Sequence, residues 1–132
     1  MKISTQYLSD YEYKASTENG HNVSIDMRPE GKTRQSPMEL VLSALSGCIA
    51  VEIALMIQKR KKKLVDLNIE ANGDRKESDP KGFTNIELHF ILTSPDATLE
   101  ELEKISSLAL EKYCSVADSL KASITKKCSV VR

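Results

Sequence analysis

The sequence has no tryptophan and only 5% aromatic residues, so it offers no aromatic platform on which nucleic-acid bases could stack. It has no net charge either, with 19 lysines and arginines against 19 aspartates and glutamates. That balance removes the basic footprint expected of a nucleic-acid or anionic-membrane partner. Cysteine is sparse and odd in number, Cys48, Cys114 and Cys128, which excludes a disulfide scaffold. No pair among these cysteines, His21 and His89 has the short spacing of zinc ligands, so neither metal nor cofactor is expected. No apolar signal core opens the chain, and the expected location is the cytoplasm. The uncharged run Leu40 to Val51 stops at Glu52 after twelve residues, too few for a bilayer, so no membrane is expected.

What remains is an ordinary globular composition, 40% hydrophobic and 29% charged over 132 residues, enough for one domain with a real core. Residues 3–14 mix β-formers with polar residues. Asn19-Gly20 signals a tight turn, and Val23, Ile25 and Met27 then alternate with polar residues, so the chain should open with a β-hairpin. Residues 28–35 read as a loop. Ser36, Pro37 and Glu39 form the start signal of a helix, with a capping box and proline at the first helical position. Lys59 to Lys63 place cations at its other end, which predicts a helix of about 25 residues. Alternating patterns at 64–71 and 83–92 predict two paired strands. A second helix should start near Thr98, with Leu99, Leu102, Ile105, Leu108 and Ala109 on one face and Cys114 at its end. "SITKKCSVV" should close the chain as a strand containing Cys128. There are no repeats and no linkers. The order ββαββαβ over a single domain, 1–132, is an α+β pattern.

The residues alone leave three readings of the cysteines open: metal ligands, buried small hydrophobes, or a redox pair of Cys48 and Cys114. "SPMELVLSALSGC", followed much later by "KYCSVADSL", resembles the OsmC/Ohr family of thiol-dependent hydroperoxide reductases. Pro37 stands eleven residues before Cys48, as the family pattern has it. The resemblance covers nearly the whole chain. It implies an intertwined homodimer around a long central helix, with the small residues Ser43, Ser46, Gly47 and Ala50 permitting close backbone approach. It also implies reduction of organic hydroperoxides to alcohols at the expense of a dithiol, such as one of lipoyl type.

Carried over residue by residue, the resemblance makes Cys48 the peroxidatic thiol and Cys114 the resolving one. The supporting arginine would be Arg28, eight residues before Ser36, with Arg34 as the fallback. The family's glutamate directly follows the helix-start proline; here that place holds Met38, and Glu39 comes one later. Glu39 lies about 180° round the helix from Cys48, so its expected role is the cap, with any catalytic role exerted across a dimer. Ser115 stands where the family usually has proline. A thiolate at Cys48 also needs a cation, because the helix dipole fades within the first turn and Cys48 is about three turns inside. Two other functions stay open on the same fold: a non-catalytic dimeric binding protein for an apolar or thiol ligand, and a structural homodimer with inert thiols.

Overall fold

The computed structural model describes all of residues 1–132. The chain forms two compact units, residues 1–41 and 42–132, and the long helix α1 (Pro37–Lys59) begins in the first and continues through the second.

The first unit is an antiparallel sheet of β1 (Ile3–Ser9), β2 (Glu12–Thr17) and β3 (Asn22–Asp26), in that order. The expected hairpin is there, with Gly20 at φ +85° in the β2–β3 turn, where a side chain would be strained. A strand more than expected precedes it. Residues 3–14 break at Asp10-Tyr11, where the Tyr7 hydroxyl donates to Asp10 and the Ser9 hydroxyl donates to Glu12. This turn uses neither glycine nor proline, so no punctuation marks it in the sequence. The observed order is therefore βββ before α1.

The face of β3 also differs from the expectation. Val23 (47%) and Met27 (59%) are exposed, while Asp26 is fully buried. Asp26 takes the inner place because it is saturated with donors. Its carboxylate accepts from the Arg28 backbone N–H at 2.9 Å, from Arg28 Nε and Nη2 at 3.1 and 2.7 Å, and from the Thr33 N–H at 2.8 Å. A buried carboxylate is tolerated when its lone pairs are satisfied this fully. The loop 27–33 is thereby closed on one acid.

In the second unit, β4 (Asp66–Arg75) pairs antiparallel with β5 (Phe83–Thr93), and β6 (Ser123–Val131) pairs parallel with β5 on its other side. The parallel step needs a crossover, which α2 (Leu99–Leu108) and α3 (Ser115–Asp118) supply. Ile86, Leu88, Phe90 and Leu92 alternate along β5 and are fully buried. Leu45, Ile49, Ile53 and Ile57 recur every fourth residue of α1 and are also fully buried, in the same hydrophobic cluster. By length and composition α1 could cross a membrane, yet this row is the core of the second unit.

The α2 cap falls where expected. Thr98 accepts from the Glu101 N–H, and the Glu101 carboxylate accepts from the Thr98 N–H. The buried stripe of α2 is Leu102, Ile105 and Ser106, continued by Ala109 just beyond its end. Leu99 and Leu108, expected on that face, are exposed. Leu108 sits about 110° from the centre of the stripe, which the looser i, i+3 pattern did not separate.

Ile53→Ala should leave a cavity at the centre of the core and lower unfolding stability by about 3 kcal/mol, read by urea denaturation. Asp26 generates a pH dependence. The Arg28 guanidinium beside it holds its carboxyl well below the usual range, against the opposing effect of burial. In the unfolded chain it titrates near about 3.9. Its contribution is therefore complete above that value and is lost as the pH falls below it towards the folded one. Urea midpoints measured from neutral to acid pH should show this loss in the native protein and a flatter acid limb in Asp26→Asn.

Candidate active site

The cap of α1 sets where its residues begin to count. The Ser36 N–H donates to the Glu39 carboxylate at 2.9 Å, and the Glu39 N–H donates to Ser36 Oγ at 3.3 Å. The buried row then fixes the helix's rotation. Cys48, Glu52 and Met56 each precede a buried isoleucine by one residue and form a second, half-buried row about 100° from the first. Cys48 is thus neither in the core nor free in solvent. Gly47 beside it has nothing within 4 Å of the place its Cβ would occupy, so the close approach expected there is not made within one chain.

Cys114 reaches Cys48 by an irregular path. After α2 the chain makes a π-helical turn, Ala109–Tyr113, closed by the Cys114 N–H donating to the Ala109 carbonyl at 2.9 Å. Such turns hold one more residue than an α-turn and shift whatever follows. Cys114 itself is extended, at φ −83° and ψ 100°, and ends the helix. Its sulfur accepts from the Ala117 N–H at 3.3 Å and caps α3. Cys114 is 3% exposed.

Of the four candidate residues, the structure brings Cys48 and Cys114 together, close enough for the Cys48 sulfur to act on the Cys114 thiol. Burial pushes the Cys114 thiol up, the Ala117 N–H opposes that, and the neighbouring Cys48 sulfur adds to the rise. The neutral thiol is therefore favoured at Cys114. All three cysteines are free. Cys128 stands apart on β6, its sulfur 3.4 Å from Ser106 Oγ among the packed hydrophobics of the core.

Arg28 and Glu39 have partners of their own in the N-terminal unit. Arg28 forks onto Asp26 and also meets Glu12 at 3.1 Å. These acids raise its already high value and hold the guanidinium charged. Arg34 donates to the Thr33 carbonyl at 2.9 Å. Glu39 pairs with Lys32, which first of all, together with the cap donors, lowers its carboxyl to about 2. No group of three or more histidines, cysteines or acids stands together as a metal site.

Two features went unread in the sequence. Asp26 carries the whole Arg28 loop, and its only signal is an acid two residues before an arginine. The other is a cavity of about 340 Å³ beginning one turn beyond Cys48 on α1, with an apolar wall of Leu55, Met56, Leu108 and Tyr113. Tyr113 directly precedes Cys114 in the chain, though neither cysteine lines the cavity. Two neighbouring free thiols, one half-buried and one buried, form an arrangement suited to two-electron oxidation to a disulfide.

Comparison with known proteins gives the lineage. The family described as OsmC-like protein matches residues 29–129. Protein YhfA of Escherichia coli K12 is 32% identical over 124 residues, covering 94% of this chain and 92% of its own. An OsmC-like protein from Mycoplasma pneumoniae shares the fold at TM-score 0.85 and 19% identity, over 99% of this chain and 96% of its own. The organic hydroperoxide resistance protein OhrB of Bacillus subtilis superposes at TM-score 0.64 and 14% identity, with 98% of each chain covered. The family match spans most of the chain and the fold agrees with these structures, so the chain belongs to the OsmC-like family.

Proposed function

We propose that the protein is a thiol-dependent peroxidase of a single OsmC-like domain, reducing organic hydroperoxides in the cytoplasm. Its family includes hydroperoxide reductases, which supports a redox role. The observation that carries the reading is the closeness of half-buried Cys48 to buried Cys114, both free thiols. Cys48, the more accessible sulfur, attacks the terminal peroxide oxygen as thiolate. The O–O bond breaks, the alcohol leaves with a proton, and Cys48 becomes a sulfenic acid. Cys114 then attacks that sulfur, water leaves, and a Cys48–Cys114 disulfide forms. A dithiol, of lipoyl type for example, restores both thiols by exchange and is itself oxidised to a disulfide. The Ala117 N–H supports the Cys114 sulfur as it loses its proton.

Arg28 is the proposed supporting cation, and Glu39 acts as a positioning residue through the cap of α1. The charge of Arg28 is already shared with two acids, so its support for Cys48 is weaker than that of a free guanidinium. Apolar side chains left uncovered on one chain, among them Val51, Leu55, Val23 and Met27, favour a homodimer as the working unit. The cavity between α1 and the end of α2 favours one second reading, a dimeric binding protein for an apolar or thiol ligand without turnover.

With one equivalent of cumene hydroperoxide, the native protein should lose two thiols and two mass units. Cys114→Ser should instead gain oxygen at Cys48, Cys48→Ser should do neither, and Cys128→Ser should match the native protein, all by intact mass. Consumption of peroxide by Cys48→Ser at the native rate would end the peroxidase reading, while bound ligand without turnover would favour the second. Arg28→Ala should slow labelling of Cys48 by iodoacetamide at neutral pH; an unchanged rate would remove Arg28 from the site. Sedimentation at micromolar concentration should give a dimer, and a stable monomer would refute that assembly.

A further inference from the structure

The outer face of the β4–β5–β6 sheet carries an acid, a base and a nucleophile on three successive strands. Leu88 and Phe90 of β5 are buried in the core, so His89 between them points the other way. Glu70 of β4 is its direct partner in the antiparallel register, and Lys127 of β6 its direct partner in the parallel one. Ser129, two residues beyond Lys127, shares that face. His89 Nε2 lies 2.8 Å from Ser129 Oγ, and His89 Nδ1 lies 3.9 Å from a Glu70 carboxylate oxygen. Cys48 and Cys114 pack with the hydrophobic cluster on the other side of this sheet.

The geometry assigns the proton. A carboxylate on the Nδ1 side favours the imidazole tautomer protonated there. Nε2 then carries the lone pair, and the Ser129 hydroxyl donates to it. A hydroxyl held by an imidazole, itself oriented by an acid, is activated for attack on a carbonyl. We infer that Glu70, His89 and Ser129 form an acyl-transfer site, separate from the thiols, at which Ser129 takes an acyl group from an activated ester. Ser129 Oγ attacks the carbonyl carbon while its proton passes to His89 Nε2. The bond from that carbon to the leaving group breaks, and the imidazolium returns the proton to the leaving group. Water releases the carboxylic acid from acyl-Ser129 by the same proton route. The Lys127 ammonium, on the same face, supplies positive charge as the carbonyl oxygen becomes negative. Its pairing with Glu87 at 3.6 Å is exposed and weak, which leaves that charge available. Glu70 at 3.9 Å is a positioning residue that acts on His89 by charge, beyond hydrogen-bond distance. Glu70 is exposed and His89 and Ser129 are half-buried, so the face is open. Substrates are therefore selected by the reactivity of the leaving group, and aryl esters and thioesters are the class that fits.

The probe is p-nitrophenyl acetate, added to the full-length protein. Release of p-nitrophenolate is followed by absorbance, and tandem mass spectrometry locates each acetyl group. Ser123 lies on the same strand and face and is more exposed than Ser129, so it serves as the internal reference. Acetylation of Ser129 in the native protein should outpace that of Ser123 by about tenfold or more. His89→Gln should slow acetylation of Ser129 by about a hundredfold. Glu70→Ala should slow it by about threefold. In imidazole nitrogen NMR spectra the same variant should move the His89 proton from Nδ1 towards Nε2, a change that a merely structural residue would not produce. Circular dichroism checks that both variants fold. Acetylation of Ser129 no faster than that of Ser123 would overturn the inference in the native protein, without recourse to any variant. So would a folded His89→Gln protein that acetylates Ser129 at the native rate.

Discussion

The buried row of α1, Leu45, Ile49, Ile53 and Ile57, packed in one cluster with Ile86, Leu88, Phe90 and Leu92 of β5, is the contact on which the site depends. A helix has one free rotation about its axis, and that row removes it. Once four branched side chains at every fourth position are buried, the neighbouring row of Cys48, Glu52 and Met56 has no choice of direction. Cys48 is held at the margin of the core, where a thiol is partly shielded yet open to a reagent. Shifting the helix by one residue would bury Cys48 and expose an isoleucine, at a cost of roughly 1.5–3 kcal/mol for each large side chain brought into water.

The second thiol reaches the same place by a departure from regular structure. An uninterrupted α-helix beyond Leu108 would carry Cys114 round with each residue. The π-turn adds one residue, and the extended conformation of Cys114 then stops the helix altogether. The result is an unequal pair. One sulfur is half-buried; the other is enclosed, kept protonated by burial, and supplied with a backbone N–H for when it is not. That inequality makes the two sulfurs chemically distinct.

In the N-terminal unit the corresponding constraint is ionic. Asp26 is fully buried and accepts from both the side chain and the backbone of Arg28, so it fixes a loop that contains no regular structure. The arrangement keeps Arg28 charged and oriented, and it also uses much of the charge. A residue that resembles a catalytic arginine by position is here also the partner of a structural acid.

Local signals in the sequence determined much of this protein. The capping boxes at Ser36 and Thr98, the Asn19-Gly20 turn and the alternation along β5 depend on residues a few positions apart, and each was legible without a fold. The spacing of Pro37 and Cys48, with "KYC" later, was enough to suggest the family. The Asp10-Tyr11 turn, which lacks glycine and proline, was not legible. Neither was the inward face of β3, because alternation shows that two faces differ but not that a saturated carboxylate will take the inner one. The meeting of Cys48 with Cys114, 66 residues later in the chain, and the cavity between α1 and the end of α2 were decided only by tertiary structure. Their distances depend on a helix rotation and a π-turn, and those are set by packing between segments that no spacing along the chain encodes.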